Sequence, residues 1–191
     1  MKIGLFFGSF NPIHVGHLII ANYMAQYSDI EQVWLVVSPH NPHKDKASLA
    51  RDRDRLNMIQ LAVEGNTRLR ASNIELKMPQ PSYTIDTLTY LHEQYPQHEF
   101  ALIMGGDNLA TLPKWKNYEL LLNNHLIYVY ARPETDLGAL VTHPNIRLLH
   151  EVPQMQISAT FIRDSLKDRK SVRYLVADKV LEYIEESRLY R

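Results

Sequence analysis

Two histidines three residues apart, His14 and His17, lie near the start of the chain, just after a glycine-containing turn. At the beginning of a helix, side chains with this spacing share one face. Two imidazoles directed at one phosphate can donate hydrogen bonds as negative charge develops on it. The spacing also allows two exposed histidines, or two ligands of a zinc ion. A catalytic zinc site needs a third protein ligand, however, and none is evident nearby.

A second group of residues suited to anion binding lies in the last quarter of the chain, at Ser158, Thr160 and Arg163. Ser158 favours the N-cap of a helix. Arg163 would then lie early in that helix, where the helix dipole disfavours a cation. A bound anion would compensate for this placement. The segment therefore predicts a helix start that also contacts phosphate.

These distant residues need a scaffold that brings them together, and the apolar pattern of the chain predicts one. Short continuous apolar runs indicate buried strands, and apolar residues three or four apart indicate helices. Their alternation predicts a Rossmann-like, doubly wound α/β fold, with a mostly parallel sheet and helices on both faces, as a single domain over residues 1–191. The predicted strands are Ile3–Phe7, Val33–Val37, Leu69–Leu76, Phe100–Met104, Leu126–Ala131 and Ile146–Val152; the predicted helices are Val15–Tyr27, Leu56–Val63, Thr84–Gln94, Asn117–Leu122, one after Ser158 and Leu175–Glu186.

This fold class also predicts where a ligand binds. In open parallel sheets, ligands bind beyond the carboxyl ends of the strands, at the point where the strand order reverses. The turns after the first and fourth predicted strands hold four of the seven glycines, namely Gly8, Gly16, Gly105 and Gly106. Gly8 permits a tight turn, and the helix start that follows offers N–H groups to a phosphate.

Other charged segments receive a plainer interpretation. The run Arg51–Arg55 alternates in sign, which predicts a solvated helix start. Residues 41–50 are polar and predict a loop. No site role is predicted for His92, His98, His125, His143 or His150.

Composition narrows the class of protein further. The 191 residues contain 21 basic and 21 acidic side chains. A neutral total argues against nucleic acid as the main partner, since phosphate-backbone affinity needs a basic surplus. The chain has no cysteine, so it offers neither disulfides nor thiolate metal ligands. No signal peptide and no membrane-spanning run is evident, so we expect a cytoplasmic protein without a membrane partner. The sequence leaves a homo-oligomer open.

Residues 8–17 resemble a signature of the nucleotidylyltransferase superfamily, small-x-x-x-Pro-x-His-x-Gly-His. Residues 157–163 match the second signature, Ile-Ser-Ser-Thr-x-x-Arg, except at Ala159. Within the superfamily the chain is similar to bacterial nicotinate-nucleotide adenylyltransferases. Further matching segments are Ser38–Lys44, in which Asn41 departs from the family pattern, Pro81–Thr84, Gly105–Asn108 and Pro113–Trp115.

The resemblance implies an enzyme that transfers AMP from ATP to nicotinate mononucleotide, with Mg²⁺ carried by the ATP phosphates and no protein-held metal. It implies that His14, His17 and Arg163 are catalytic, and that Trp115 stacks on the nicotinate ring unless it is a core aromatic. His43 and Lys44 could close over substrate phosphate. The implied ATP site comprises Gly8, Ser9, Phe10, Asn11, His14, His17, Gly105, Asp107, Ile157, Ser158, Thr160 and Arg163; the implied mononucleotide site comprises Lys44, Tyr83, Thr84, Asp107 and Trp115.

Other functions remain open at this point. A pantetheine-phosphate adenylyltransferase shares the first signature, but Trp115, Pro81–Thr84 and the second signature argue against it. An enzyme that uses nicotinamide mononucleotide, alone or as well, would have the same overall pattern. A tRNA-charging enzyme is opposed by the length and neutral charge of the chain. A non-catalytic nucleotide-binding regulator is separated from these only by an assay.

Overall fold

A computed structural model describes residues 1–39, 49–131 and 136–191. The strands are β1 (Lys2–Gly8), β2 (Gln32–Val37), β3 (Leu69–Ser72), β4 (Glu99–Gly105), β5 (Ile127–Tyr130) and β6 (Ile146–Leu149). They form a six-stranded sheet with the order β3-β2-β1-β4-β5-β6, in which all neighbouring strands are parallel. The strand order reverses between β1 and β4, so the ligand-binding edge expected for this fold lies beyond their carboxyl ends.

Helices cover both faces of this sheet. One hydrophobic core contains buried residues of the first, second, sixth and seventh α-helices in chain order, and a second core contains buried residues of the third, fourth and fifth. The predicted Rossmann-like, doubly wound α/β fold is therefore confirmed. The α-helices are α1 (Val15–Tyr27), α2 (Asp52–Ala62), α3 (Thr84–Gln94), α4 (Gly106–Thr111), α5 (Tyr118–Asn124), α6 (Ala159–Lys167) and α7 (Asp178–Glu186); short 3₁₀ helices cover Ile74–Lys77, Leu112–Lys114 and Ala139–Thr142.

The predicted elements and the observed ones differ mainly at their ends. Helices α1 and α3 have the predicted bounds. The predicted strand Leu69–Leu76 ends at Ser72, because the chain turns there into a 3₁₀ helix and the Ser72 hydroxyl accepts the N–H of Ile74 at 3.4 Å. Helix α7 begins at Asp178 rather than Leu175, because the Leu175 carbonyl instead accepts the Val15 N–H at 2.9 Å.

No helix of the described ranges is long and apolar enough to cross a membrane.

Candidate active site

The candidate site lies at the carboxyl edge of the sheet, between β1 and β4. Phe6 pairs with Ile103 in the parallel register of these strands, so the turns that follow them leave the sheet side by side. Helices α1 and α4 begin in these turns, and α3 and α6 begin at the same edge because each follows a parallel strand. Most of the predicted site residues described below lie in these turns, just before these helices or in their first turns, whereas Trp115 lies between α4 and α5, after the 3₁₀ helix Leu112–Lys114.

His14 and His17 form a stacked pair at the beginning of α1. Their ring centroids lie 3.7 Å apart, with an angle of 27° between the ring planes. The main-chain N–H of His14 donates to Nδ1 of His17 at 3.3 Å. The proton of the neutral His17 ring therefore lies on Nε2, which can donate to a phosphate oxygen. Nδ1 of His14 is buried and has no hydrogen-bond partner within the described ranges.

Burial keeps both rings neutral near pH 7. It lowers the pKa of His14 to about 4. Burial, together with repulsion from His14, lowers the pKa of His17 to about 3. Two neutral imidazoles can each donate one N–H to an anion without first repelling each other as cations. The pair is thus suited to stabilising negative charge that develops on a bound phosphate.

The glycine between the two histidines has a packing role. A Cβ atom on Gly16 would lie 3.1 Å from two atoms of the His14 ring, which is too close for an unstrained contact. The Val15 N–H donates to the Leu175 carbonyl. One main-chain N–H at the start of this helix is therefore already hydrogen-bonded within the protein. An anion bound here would receive more of its hydrogen bonds from the imidazoles.

Phe10, which the resemblance places in the ATP site, has its side chain in the core. It is 1% exposed, and its ring meets that of His17 edge to face with centroids 5.1 Å apart. Its φ of 44° lies in the left-handed region, which costs a non-glycine residue about 1–2 kcal/mol. A Cβ on Gly8 would lie 2.9 Å from this ring. Any contact of Phe10 with ATP would therefore come from its main chain.

Arg163 joins the two signature segments. Its Nη1 donates to the Asn11 carbonyl at 2.8 Å, and its Nη2 donates to Oγ1 of Thr160 at 3.2 Å. The carboxamide of Asn11 is turned inward, and its Oδ1 accepts the Ala50 N–H at 3.0 Å and the Tyr190 hydroxyl at 2.7 Å. The guanidinium thus lies beside the turn after β1, although it is far away in sequence.

Ser158 has the predicted N-cap role. Its hydroxyl oxygen accepts the Phe161 N–H at 3.1 Å, so the start of α6 is capped. The hydroxyl proton can still be donated to an anion. Ser158 and Thr160 are exposed, whereas Ile157 is half-buried and packs against the core.

Asp107 lies in the first turn of α4 and is exposed. A carboxylate is favourable at this end of a helix. A Cβ on Gly105 would lie 2.5 Å from Oδ1 of Asp107, so the glycine leaves room for the carboxylate to fold back over the end of β4.

Lys116 connects the segments predicted to hold the nicotinate ring. Its ammonium group lies 4.4 Å from the centre of the Tyr83 ring and 2.9 Å from Oδ2 of Asp86 in α3. Trp115, one residue earlier, is half-buried and packs against the core of this face. Trp115 is therefore neither a buried core residue nor a freely exposed one. Thr84 begins α3, directly after the exposed Tyr83.

The predicted solvated character of the Arg51–Arg55 run is wrong at Arg55. This side chain is fully buried, and its Nη1 donates to the carbonyls of Ser9 at 2.6 Å and Ser38 at 2.9 Å. Its Nη2 binds Asp52 at 2.6 Å. Arg55 therefore ties together the chain segments that leave β1 and β2. The run does expose Arg51 and Arg53.

Sequence reasoning also missed Lys116 and Tyr190. Lys116 follows a predicted site residue directly, but nothing in the sequence shows where its flexible side chain points. Tyr190 contacts Asn11 across 179 positions, which no local pattern can indicate. The predicted phosphate contact Lys44 and its neighbour His43 lie outside the described residues. Across the described ranges, no group of three or more histidines and carboxylates is arranged to hold a metal ion.

Comparisons with known proteins place this geometry in a family. The cytidylyltransferase-like family model matches residues 5–165. A protein of Flavobacterium johnsoniae, named "Probable nicotinate-nucleotide adenylyltransferase", is 54% identical over 100% of both chains. Proteins with the same name from Cytophaga hutchinsonii and Bacillus licheniformis are 52% and 37% identical, over 100% and 99% of this chain and 98% of theirs.

Solved structures agree on the fold. Plasmodium falciparum nicotinic acid mononucleotide adenylyltransferase complexed with NaAD matches with a TM-score of 0.81 at 18% identity, over 99% of this chain and 97% of that one. The same enzyme complexed with APC matches with a TM-score of 0.79 at 19% identity, over 99% and 96%. The family match and the full-length relatives lead to one assignment: the chain belongs to the cytidylyltransferase-like family and, within it, to the nicotinate-nucleotide adenylyltransferases.

Proposed function

We propose that the protein transfers AMP from ATP to nicotinate mononucleotide, giving nicotinate adenine dinucleotide and pyrophosphate. The observation that carries this proposal is the stacked, neutral pair His14 and His17, in which Nδ1 of His14 is buried without a partner among the described residues. The Arg163 guanidinium of the second signature binds the Asn11 carbonyl in the turn that leads to this pair. The names of the full-length relatives support the choice of acceptor.

In the proposed reaction, a phosphate oxygen of the mononucleotide attacks the α-phosphorus of ATP. A new P–O bond forms, and the bond from the α-phosphorus to the oxygen bridging the β-phosphorus breaks, so the leaving group is pyrophosphate. Enzymes of phosphoryl transfer act mainly by positioning and electrostatic stabilisation, so no covalent enzyme intermediate is needed.

Each cationic or donor residue receives a role in this scheme. His14 and His17 would donate to the α-phosphate and the leaving oxygen as charge builds up there. Arg163 would pair with the β- or γ-phosphate through its planar, two-pronged guanidinium. Ser158 and Thr160 would add hydroxyl donors at the start of α6, and the main chain of Gly8–Asn11, with Gly105 and Asp107, would line the rest of the nucleotide.

The nicotinate ring would lie where Lys116 connects the segment of Tyr83 with the segment of Trp115. We assign Trp115 to ring stacking, and Tyr83, Thr84 and main-chain N–H groups near Trp115 to the ring and its carboxylate. Main-chain N–H groups only donate, and a carboxylate only accepts, so the acid fits such a pocket better than the amide. Lys44 and Asp107 are assigned to the mononucleotide on the resemblance alone.

Mg²⁺ would enter with ATP, bound by triphosphate oxygens and water. Magnesium is commonly held through substrate phosphates rather than by a protein cage. We further propose that residues 1–191 act as one domain, and that the protein acts in the cytoplasm.

The test is pyrophosphate release from ATP and Mg²⁺ with three acceptors offered separately: nicotinate mononucleotide, nicotinamide mononucleotide and phosphopantetheine. An amide would turn its NH₂ towards a main-chain donor and leave a buried group unpaired, at a cost of about 1–3 kcal/mol. It would also lose a charge-assisted hydrogen bond. We therefore expect kcat/KM for the acid to exceed that for the amide by at least about tenfold.

Equal rates with the acid and the amide would show that the donor-only pocket is wrong and that the enzyme has dual specificity. Turnover of phosphopantetheine alone would reassign the acceptor altogether. Absence of pyrophosphate release with all three, from a folded protein that binds ATP, would favour a regulator over an enzyme.

A further inference from the structure

The turn that carries the first signature is held by residues from three other parts of the chain, and they meet at Asn11. Its Oδ1 accepts the Ala50 N–H and the Tyr190 hydroxyl, and its carbonyl accepts Arg163 Nη1. Asn11 is 4% exposed, so these bonds are largely shielded from water. Ala50 is the last residue of the predicted polar loop 41–50, and Arg163 belongs to the second signature.

Resting on the proposed function, we infer that Tyr190 is a positioning residue for ATP. Its phenol holds the Asn11 carboxamide, and the Asn11 main chain in turn holds the guanidinium of Arg163. Tyr190 itself makes no contact with the reacting atoms in this scheme.

The hydrogen-bond donors around Asn11 determine the orientation of its carboxamide. Oδ1 of Asn11 receives two donors, a main-chain N–H and a phenolic O–H, and this fixes which way the carboxamide faces. Burial raises the pKa of Tyr190 well above its ordinary value of 10, so the hydroxyl remains a donor throughout the physiological range. The positive charges of Arg163 and Arg55 act on the pKa of this phenol in the opposite sense, but burial outweighs them.

The backbone conformation after α7 directs the Tyr190 side chain towards Asn11. Arg188 and Tyr190 have φ angles of 53° and 63°, in the left-handed region that side chains other than glycine and asparagine rarely adopt. Between them, the Leu189 N–H donates to the Ile184 carbonyl at 3.0 Å, which ends α7 and turns the chain back. A cavity of about 180 Å³ is lined by both Tyr190 and Arg163, so the two side chains border the same space.

Tyr183, in the preceding helix α7, provides a matched control. Its hydroxyl donates to Oδ1 of Asp54 at 2.8 Å and accepts from Nδ2 of Asn57 at 3.3 Å, so it joins α7 to α2 without touching Asn11. Removing this hydroxyl costs a comparable tertiary hydrogen bond. A difference in ATP affinity between Tyr190→Phe and Tyr183→Phe therefore reports the contact with Asn11 rather than a general loss of packing.

The experiment measures ATP affinity by calorimetry, with Mg²⁺ present and no acceptor, and steady-state kinetics with each substrate varied in turn. For Tyr190→Phe we expect Kd and KM for ATP to rise about 3- to 10-fold, as for the loss of one hydrogen bond. We expect kcat to change less than about twofold and KM for nicotinate mononucleotide to stay at the wild-type value. Tyr183→Phe should leave both KM values unchanged.

A second arm tests the route through Arg163. In an Arg163→Lys background, Tyr190→Phe should weaken ATP binding less than it does in the wild type, since the planar guanidinium that it positions is gone. A folded Tyr190→Phe protein with wild-type ATP affinity overturns the inference. An equal rise in Kd and KM for ATP in Tyr183→Phe also overturns it, as does a fall in kcat alone in Tyr190→Phe. Failure of the wild type to use nicotinate mononucleotide while it still binds ATP would count against the proposed function, and the calorimetric arm would still decide the role of Tyr190.

Discussion

Replacing Arg55 tests the interpretation that this buried guanidinium holds the carboxyl ends of β1 and β2 in place. Arg55→Ala removes three hydrogen bonds, two to main-chain carbonyls and one to Asp52. Hydrogen bonds to charged groups contribute about 1.5–3 kcal/mol each, so the three set an upper limit of about 5–9 kcal/mol. Ser9 is exposed and Asp52 is about half exposed, so water can replace part of this loss. We therefore expect the free energy of unfolding to fall by about 2–4 kcal/mol.

The assay is urea denaturation followed by circular dichroism, with Arg53→Ala as the matched control. Arg53 lies two residues earlier in the same helix and is exposed, so its removal should change the free energy of unfolding by less than about 0.5 kcal/mol. Arg55→Lys should restore only part of the stability, because an ammonium group lacks the fork that reaches several acceptors at once. If the free energy of unfolding fell by the same small amount in Arg55→Ala and Arg53→Ala, the hydrogen bonds of Arg55 would contribute nothing to stability. The alternating run would then be an ordinary solvated face.

The remaining predictions concern the candidate site itself. His17→Ala should lower kcat by about 10²–10³ while the protein stays folded; a folded variant within a few-fold of the wild-type kcat would remove His17 from the mechanism. Arg163→Ala should weaken ATP binding by about 2–5 kcal/mol and leave mononucleotide binding nearly unchanged, with Arg163→Lys intermediate; unchanged ATP affinity in calorimetry and an unchanged rate would make Arg163 purely structural. The pKa values of His14 and His17 in the folded protein are about 4 and 3, below the ordinary 6.5, so the unfolded chain takes up these protons first. The stability that the neutral rings contribute is fully present above about pH 6.5 and is lost as pH falls towards 4, by on the order of 1 kcal/mol per histidine and pH unit. Urea denaturation at pH 7 and at pH 5 should therefore show that the free energy of unfolding falls less between these pH values in a His14→Ala/His17→Ala variant than in the wild type. An equal fall in both proteins would argue against burial of the rings.

Patterns that repeat locally were readable from the sequence. Buried strands such as the core of β1 appear as unbroken apolar runs, and α1 and α3 have apolar spacing and end signals that set their bounds. The stacking of His14 on His17 follows from their spacing at a helix start. The sequence also places Gly16 between them, although only the structure shows that it makes room for the His14 ring.

What the sequence could not show depends on distant partners. The alternating charges of its neighbours predict a solvated Arg55, and yet it is buried with Met58 and Ile59. Its spacing to these two residues, three and four positions, places it on the apolar face of the helix, and this was the available signal. Helix α4 was missed because Gly105 and Gly106 predict a turn; packing of Leu109 in the second core favours the helix.

The bonds at Asn11 also bear on how the chain folds during synthesis. Its partners Arg163 and Tyr190 lie 152 and 179 positions later in the sequence. At about 5–20 residues per second, a ribosome takes about 10–40 s to reach them after it has made the turn after β1. Contacts of such large sequence separation also close slowly, since loop closure must precede them. The Arg163 side of the cleft is therefore completed at the end of folding, whereas the hydrogen bond between His14 and His17 is local to the start of α1.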